Sequence, residues 1–143
     1  MQVRLLYVSR AVGPQTTTVT ASILATAQAF NAAHGIDGVL CQGQGMYLQV
    51  LEGERGAVNR LYQRIVADRR HHDVQMLAFD EITEPRFGAW SMALVDLSES
   101  DPMVGLGHPE FDPYSASAAM ALTLVDELVA AGSPIVLPAD YLA

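Results

Sequence analysis

The amino-acid sequence predicts an α+β fold with one sheet, two core helices and a C-terminal helical extension. Three observations support this prediction. Some hydrophobic segments alternate with period two, two longer segments repeat at helical spacing, and the composition changes after about residue 96. In chain order the segments read β-α-β-β-α-β-β, a ferredoxin-like sheet with one additional strand and with both helices on one face.

The predicted strands cover residues 3–9, 36–42, 46–53, 73–83 and 87–97. A threonine cluster at 16–18 can cap the first helix, and Gly35 ends it. The second helix is indicated by spacing i, i+3, i+4 and i+7 in its hydrophobic residues, which are Val58, Leu61, Tyr62 and Ile65. Between the second and third strands, Gly43-Gln44-Gly45 predicts a tight hairpin turn.

The composition divides the chain into a domain over residues 2–97 and an extension over residues 98–143. The extension opens with a segment rich in proline and glycine and continues as the helix ASAAMALTLVDELVAAG. This helix carries an apolar stripe formed by Leu122, Val125, Leu128 and Val129. We expect the stripe to cover the sheet face opposite the two core helices, since that face would otherwise expose a large apolar patch.

Composition and charge limit the classes of function and partner that are open to this chain. The chain has 143 residues, one cysteine and a formal net charge of −8. This charge argues against nucleic acid and against an anionic membrane surface, because both are bound through clustered lysine and arginine. No segment has the length and apolarity of a membrane span or of a signal peptide. These features favour a soluble cytoplasmic protein.

Several short motifs have simple structural explanations. Gly43-Gln44-Gly45 lacks the third glycine of a dinucleotide fingerprint. His71-His72-Asp73 has no second cluster at ligand spacing, so no metal is expected. Cys41 is expected to be a small core residue.

Gln49 is more informative. In the segment MYLQVLEGE it lies on one strand face between Tyr47 and Leu51. A buried primary amide without hydrogen-bond partners costs about 1–3 kcal/mol, so a partner is expected on that face. Tyr7, Asn31, Arg64, Asp68, Trp90 and Met92 also stand on the core strands and helices. Each has an ordinary structural interpretation, as core aromatic or methionine, helix-terminal asparagine or surface ion pair.

The successive motifs LLYVSRA, FNAAHGIDGVL, MYLQVLEGE, RIVADRRHHDVQML and FGAWSMALV resemble those of the BLUF domain, the sensor of blue light using FAD. The resemblance covers roughly residues 2–97, and the remainder is similar to the helical extension of short, stand-alone members. It implies a non-enzymatic photoreceptor that binds FAD noncovalently between the two core helices.

The resemblance also assigns roles to residues of this chain. Tyr7 and Gln49 match the photoactive tyrosine and the switching glutamine, and Trp90 and Met92 match a pair near that glutamine. The cofactor-binding residues implied in this way are Tyr7, Asn31, Gln49, Arg64, Asp68 and His72. Two positions depart from the common pattern, since Phe30 stands where members often carry a polar or basic residue and Asp37 replaces a threonine.

An output role is less constrained by the sequence. We expect a homo-oligomer and a downstream protein partner, because no effector domain fits beside the sensor in 143 residues. Two alternatives remain open, a flavin-free interaction module and a small acylphosphatase-like hydrolase. The hydrolase would need a phosphate-cradling loop after the first strand, where SRAVGPQTTT offers Arg10 but little glycine.

Overall fold

The structure, a computed structural model, describes residues 1–88, 92–96, 112–131 and 135–136. The core elements are β1 (Gln2–Ala11), α1 (Thr17–His34), β2 (Asp37–Gly43), β3 (Met46–Glu54), α2 (Arg55–Ala67), β4 (His71–Glu81) and β5 (Ala93–Asp96). A single 3-10 turn (Pro113–Ser115), α3 (Ala118–Ala131) and the short strand β6 (Ile135–Val136) follow. The order of the core elements confirms the predicted ferredoxin-like α+β fold.

The sheet has the strand order β4-β1-β3-β2-β5-β6 within the described residues. Strand β1 runs antiparallel to both β3 and β4, and β2 runs antiparallel to β3 and parallel to β5. Strands β1 and β3, which we call the central strands, are therefore among those with a neighbour on each side. Residues in the middle of these two strands are therefore shielded from solvent by a neighbouring strand on each side.

Local sequence explains how the core elements begin and turn. The Thr16 hydroxyl accepts a hydrogen bond from the Val19 amide at 3.3 Å, which caps α1 at its first turn. The hairpin between β2 and β3 turns at Gln44 and Gly45, whose φ angles are 54° and 78°. Two successive positive φ angles in a two-residue loop match the twist of the strands that it connects.

The two faces of the sheet carry separate hydrophobic cores. On one face, α1 and α2 pack over a cluster that includes Leu5, Leu40 and Leu51. On the other face, Ala121, Val125 and Leu128 of α3 are buried against residues of the central strands. Because side chains alternate along a strand, β3 supplies residues to both cores.

The β4–β5 connection departs from the predicted strand over residues 87–97. The Glu52 carboxylate accepts hydrogen bonds from the backbone amides of Arg86 and Phe87 at 3.0 Å and 2.8 Å. These amides are thereby held in a loop rather than in a sheet ladder, and β5 spans only Ala93–Asp96. The predicted strand was therefore too long at its start. The preceding strand also differs from its prediction, since β4 begins at His71, two residues before the predicted start at residue 73.

Glu52 is the main polar anchor of the face that carries α3. Its side chain is 2 % exposed and pairs with Arg4 at 2.7 Å, in addition to the two loop amides. A buried carboxylate is tolerated only when its lone pairs are satisfied in this way. Removal of the carboxylate leaves a partly buried guanidinium and two loop amides without their acceptor.

We therefore predict that Glu52→Ala lowers the free energy of unfolding by about 3–5 kcal/mol, as for other broken buried ion pairs. Urea denaturation followed by circular dichroism measures the change. Glu54→Ala is the matched control, because Glu54 is exposed and forms its ion pair with the N-terminal amine. A loss of stability that is no larger for Glu52→Ala than for Glu54→Ala would contradict this role.

Candidate functional site

A cavity of about 360 Å³ lies between α1, α2 and the sheet. Its size falls in the usual range for sites that hold small molecules and cofactors. The walls are mainly apolar, with polar side chains that converge from the sheet and from α2. The lining residues come from α1, the central strands and the end of α2, and among them are Tyr7, Ile23, Ala27, Phe30, Asn31, Leu40, Tyr47, Gln49, Leu61, Arg64, Asp68, Arg70 and His71.

Tyr7 and Gln49 form the centre of the sheet wall. They stand directly opposite each other in the antiparallel pairing of β1 with β3, and both are buried. The Tyr7 hydroxyl donates a hydrogen bond to Gln49 Oε1. Gln49 Nε2 in turn donates to Met92 Sδ at 3.4 Å. The buried amide thus has the partners that its place in the sequence required.

Met92 reaches Gln49 because of a small residue on the neighbouring strand. A Cβ atom added at Gly38 would lie 2.0 Å from the Val50 carbonyl oxygen and 3.3 Å from Met92 Cε. Glycine at position 38 therefore permits a close approach of the two strands beside the methionine. Met92 lies next to the glutamine, whereas Trp90 lies outside the described residues.

Burial fixes the protonation of Tyr7. Removal from solvent is the main reason that the pKa of Tyr7 is raised far above its ordinary value, with Tyr62, Asp68 and Tyr47 adding to the effect. The phenol is therefore neutral over the whole physiological range and keeps the proton that it donates to Gln49. A tyrosine in this state acts as a hydrogen-bond donor.

The helical wall contributes Asn31, Phe30 and Arg64. Asn31 is fully buried near the end of α1 and lines the cavity. The Arg64 guanidinium lies over the Phe30 ring, with Cζ 4.7 Å from the ring centroid. The helical wall is thus apolar and aromatic along α1 and cationic at Arg64.

Asp68 does not form a surface ion pair with Arg64, which was the ordinary structural interpretation of these two residues. It follows the last residue of α2, and its carboxylate pairs instead with the Arg70 guanidinium at 2.6 Å. The Arg70 hydrogen bonds are the largest cause of the lowered pKa of Asp68. The chain leaves the helix at Asp68, which turns the carboxylate away from the helical i, i+4 position. Both Asp68 and Arg70 line the cavity, so the carboxylate is in the predicted region with a different partner.

The structure places His71 rather than His72 at the cavity. His72, which the resemblance implied as a cofactor-binding residue, is exposed and is not among the lining residues. His71 Nε2 donates to the Ile65 carbonyl, and Nδ1 lies 2.8 Å from the Ser9 hydroxyl. The cause is a break in the β1–β4 register beside Asp73, whose φ angle is 55°. Simple alternation does not hold across such a bulge.

Tyr47 is a lining residue that the sequence did not single out as functional. It shares a strand face with Gln49, is 4 % exposed and has its pKa raised mainly by burial. The same alternation that placed Gln49 on the site face was sufficient to place Tyr47 beside it.

Two general features of the described residues bear on function. No group of three or more histidine, cysteine or acidic residues in the described part of the chain could hold a metal ion. None of the helices described is long and apolar enough to cross a membrane.

Comparison with known proteins identifies the family of this chain. The family model for sensors of blue light using FAD matches residues 2–93. Among curated proteins, the chain is 38% identical over 87 residues to the photoactivated adenylate cyclase subunit alpha of Euglena gracilis, which is 61% of this chain and 8% of that protein. It is 35% identical over 89 residues to subunit beta of Euglena longa, which is 62% of this chain and 10% of that protein. The chain thus spans about a tenth of these curated relatives or less.

Solved structures show the same fold over most of the chain. The ground state of BlsA superposes with a TM-score of 0.79 at 32% identity, covering 90% of this chain and 88% of that one. The dark state of BlrB, a BLUF protein, superposes with a TM-score of 0.74 at 26% identity, covering 91% and 96%. Together with the family match over residues 2–93, these likenesses show that the chain belongs to the BLUF family of blue-light flavin sensors.

Proposed function

We propose that this chain binds FAD in the cavity and signals blue light through a rearrangement of the hydrogen bonds between Tyr7, Gln49 and the flavin. The observation that carries the proposal is the chain of two hydrogen bonds on the cavity wall, from Tyr7 to Gln49 and from Gln49 to Met92. A glutamine amide has an acceptor at one end and donors at the other. Exchange of its two ends therefore changes the bonds to every neighbour.

The donor set fits a flavin. An isoalloxazine ring needs a flat apolar slot with donors and acceptors at its edge, and the cavity offers apolar walls with Asn31, Gln49 and Tyr7. Arg64 and Arg70 also line the cavity and provide cations for an anionic tail. FAD, when bound, would supply absorption of blue light and, once excited, a strong one-electron oxidant.

The trigger in this proposal is Tyr7. Its neutral phenol can give up an electron together with the hydroxyl proton, and the proton lies in a hydrogen bond to Gln49 Oε1. Transfer of the proton to this oxygen removes the acceptor that held the amide in its resting orientation. When Tyr7 recovers its electron and proton, Gln49 can be left rearranged.

Met92 explains why the rearranged state should decay. A thioether sulfur accepts hydrogen bonds but has no proton to donate. In the resting orientation Gln49 Nε2 faces the sulfur and donates to it. If the amide ends exchange, Oε1 faces the sulfur and that bond is lost. The resting orientation is thereby favoured in the dark.

Output in this proposal passes to the extension and from there to a second copy or a downstream protein. Met92 directly precedes β5, and the face opposite the cavity is covered in part by α3. A second connection joins the Glu52-bound loop to α3, since the Arg86 guanidinium pairs with Asp126 at 2.6 Å. A change at Gln49 therefore has a short structural route to α3.

The protein should purify with oxidised flavin, and heat or acid should release mainly FAD, as chromatography of the supernatant will show. Asn31→Ala should weaken flavin retention by about 1 kcal/mol, because one hydrogen bond to the ring is lost. Asn59→Ala is the control, since Asn59 is an exposed asparagine on α2. A colourless protein that FAD does not reconstitute would instead favour a flavin-free interaction module.

Blue light should cause a small red shift of the flavin absorption that reverses in the dark. Tyr7→Phe and Gln49→Leu should each abolish the shift with flavin still bound, since one removes the electron and proton donor and the other the amide. Tyr47→Phe, at another buried tyrosine of the cavity wall, should retain the shift. A normal shift in Gln49→Leu refutes the amide mechanism.

Light should also alter hydrogen exchange of α3, measured by mass spectrometry on the full chain in darkness and under steady illumination. The Gln49→Leu variant is the control, and its α3 exchange should not respond to light. Identical α3 exchange in the dark and lit wild-type protein would exclude this output route.

A further inference from the structure

Three side chains form a stack at the wall of the cavity. The Phe30 and His34 rings lie nearly parallel, with centroids 4.0 Å apart and an interplanar angle of 16°. The Arg64 guanidinium lies over Phe30 as well, with Cζ 4.7 Å from the ring centroid. Phe30 and Arg64 line the cavity, whereas the exposed His34 is not among the lining residues. An aromatic residue of α1 thus links a histidine of α1 to an arginine of α2.

The charge of Arg64 is available to a ligand. Among the described residues, no carboxylate lies within ion-pair distance of Arg64, and its guanidinium lies over the Phe30 ring. Arg70, the other cation of the cavity, is already paired with Asp68 at 2.6 Å. In a chain with a formal net charge of −8, an anion needs such a local cation to be bound.

A guanidinium that lies over an aromatic ring keeps its N–H donors for other partners. An arginine that lies on an aromatic ring uses the face of its planar group, while its N–H donors lie in the plane. These donors match the oxygens of a phosphate, which arginine often binds through two parallel hydrogen bonds. Contact with the ring also restricts a long, flexible side chain before the ligand arrives, which reduces the entropy lost on binding.

We infer that Phe30, backed by His34, is a positioning residue that holds the Arg64 guanidinium ready for the phosphate of the flavin tail. The inference rests on the proposed flavin site. It gives a role to the departure at position 30, where an aromatic platform replaces a polar or basic side chain. Phe30 then acts through Arg64 and not by contact with the phosphate.

Riboflavin, FMN and FAD separate this role from general packing. All three carry the isoalloxazine ring, but riboflavin has no phosphate. The full-length apoprotein is titrated with each flavin, and the ratio of the riboflavin Kd to the FMN Kd reports the contribution of the phosphate. Phe30→Leu keeps an apolar side chain but removes the aromatic face, so this ratio should fall by about three- to tenfold. Phe30→Tyr should retain the wild-type ratio.

A double-mutant cycle tests whether Phe30 acts through Arg64. Arg64→Gln should lower the ratio by about tenfold or more, because a charge-assisted hydrogen bond to phosphate is lost. In the Arg64→Gln background, Phe30→Leu should cause no further fall. If Phe30→Leu does not fold, the His34→Ala variant provides the test, because His34 is exposed. Its removal should lower the ratio of the riboflavin Kd to the FMN Kd about twofold.

Three results would overturn this inference and leave the proposed function standing. An unchanged ratio in folded Phe30→Leu would make Phe30 a packing residue. A loss confined to FAD would indicate that the stack receives the adenine and not the phosphate. Equal effects of Phe30→Leu with and without Arg64 would show that the two side chains act independently. Wild-type protein that binds none of the three flavins would overturn the proposed function and this inference together.

Discussion

The register of β1 against β3 is the constraint on which the site depends. It places Tyr7 directly opposite Gln49 on two strands that each have a neighbour on both sides, where both side chains are buried. A slip by one residue would turn every side chain of one strand to the other face. Tyr7 and Gln49 would then be separated by the sheet, and two hydrophobic cores would each receive the wrong residues. The packing of both cores therefore maintains the hydrogen bond.

Strand β3 connects the chemistry of one face with the structure of the other. Tyr47 and Gln49 face the cavity, whereas Glu52 holds the β4–β5 loop on the side of α3. The same loop leads to Met92, which accepts a hydrogen bond from Gln49. Strand β3 thus holds the β4–β5 connection at two points, one through a carboxylate and one through an amide. The two ends of the Gln49 amide can exchange, whereas the Glu52 carboxylate offers the same acceptors in either orientation. We therefore expect the contact at Met92 to change while the contact at Glu52 stays in place.

Much of the fold could be predicted because local patterns determine it. Alternation identified the central strands, and it placed Gln49 and Tyr47 on one face. The length of β5 could not be predicted in this way, because Glu52 binds the Arg86 and Phe87 amides from a distant strand. The position of His71 depended on a bulge, and the partner of Asp68 depended on the helix ending one residue earlier. In each case the outcome depended on a tertiary contact or a local backbone turn that the sequence pattern does not show.

The central claim is that the Gln49 amide changes its hydrogen bonds when the flavin absorbs light. Infrared light-minus-dark spectra of protein with and without ¹³C at the glutamine side-chain carbonyl test this claim most directly. The account predicts a reversible carbonyl band that moves with the label in wild-type protein and is absent from Gln49→Leu. Light-induced flavin bands without any label-sensitive glutamine band would contradict it.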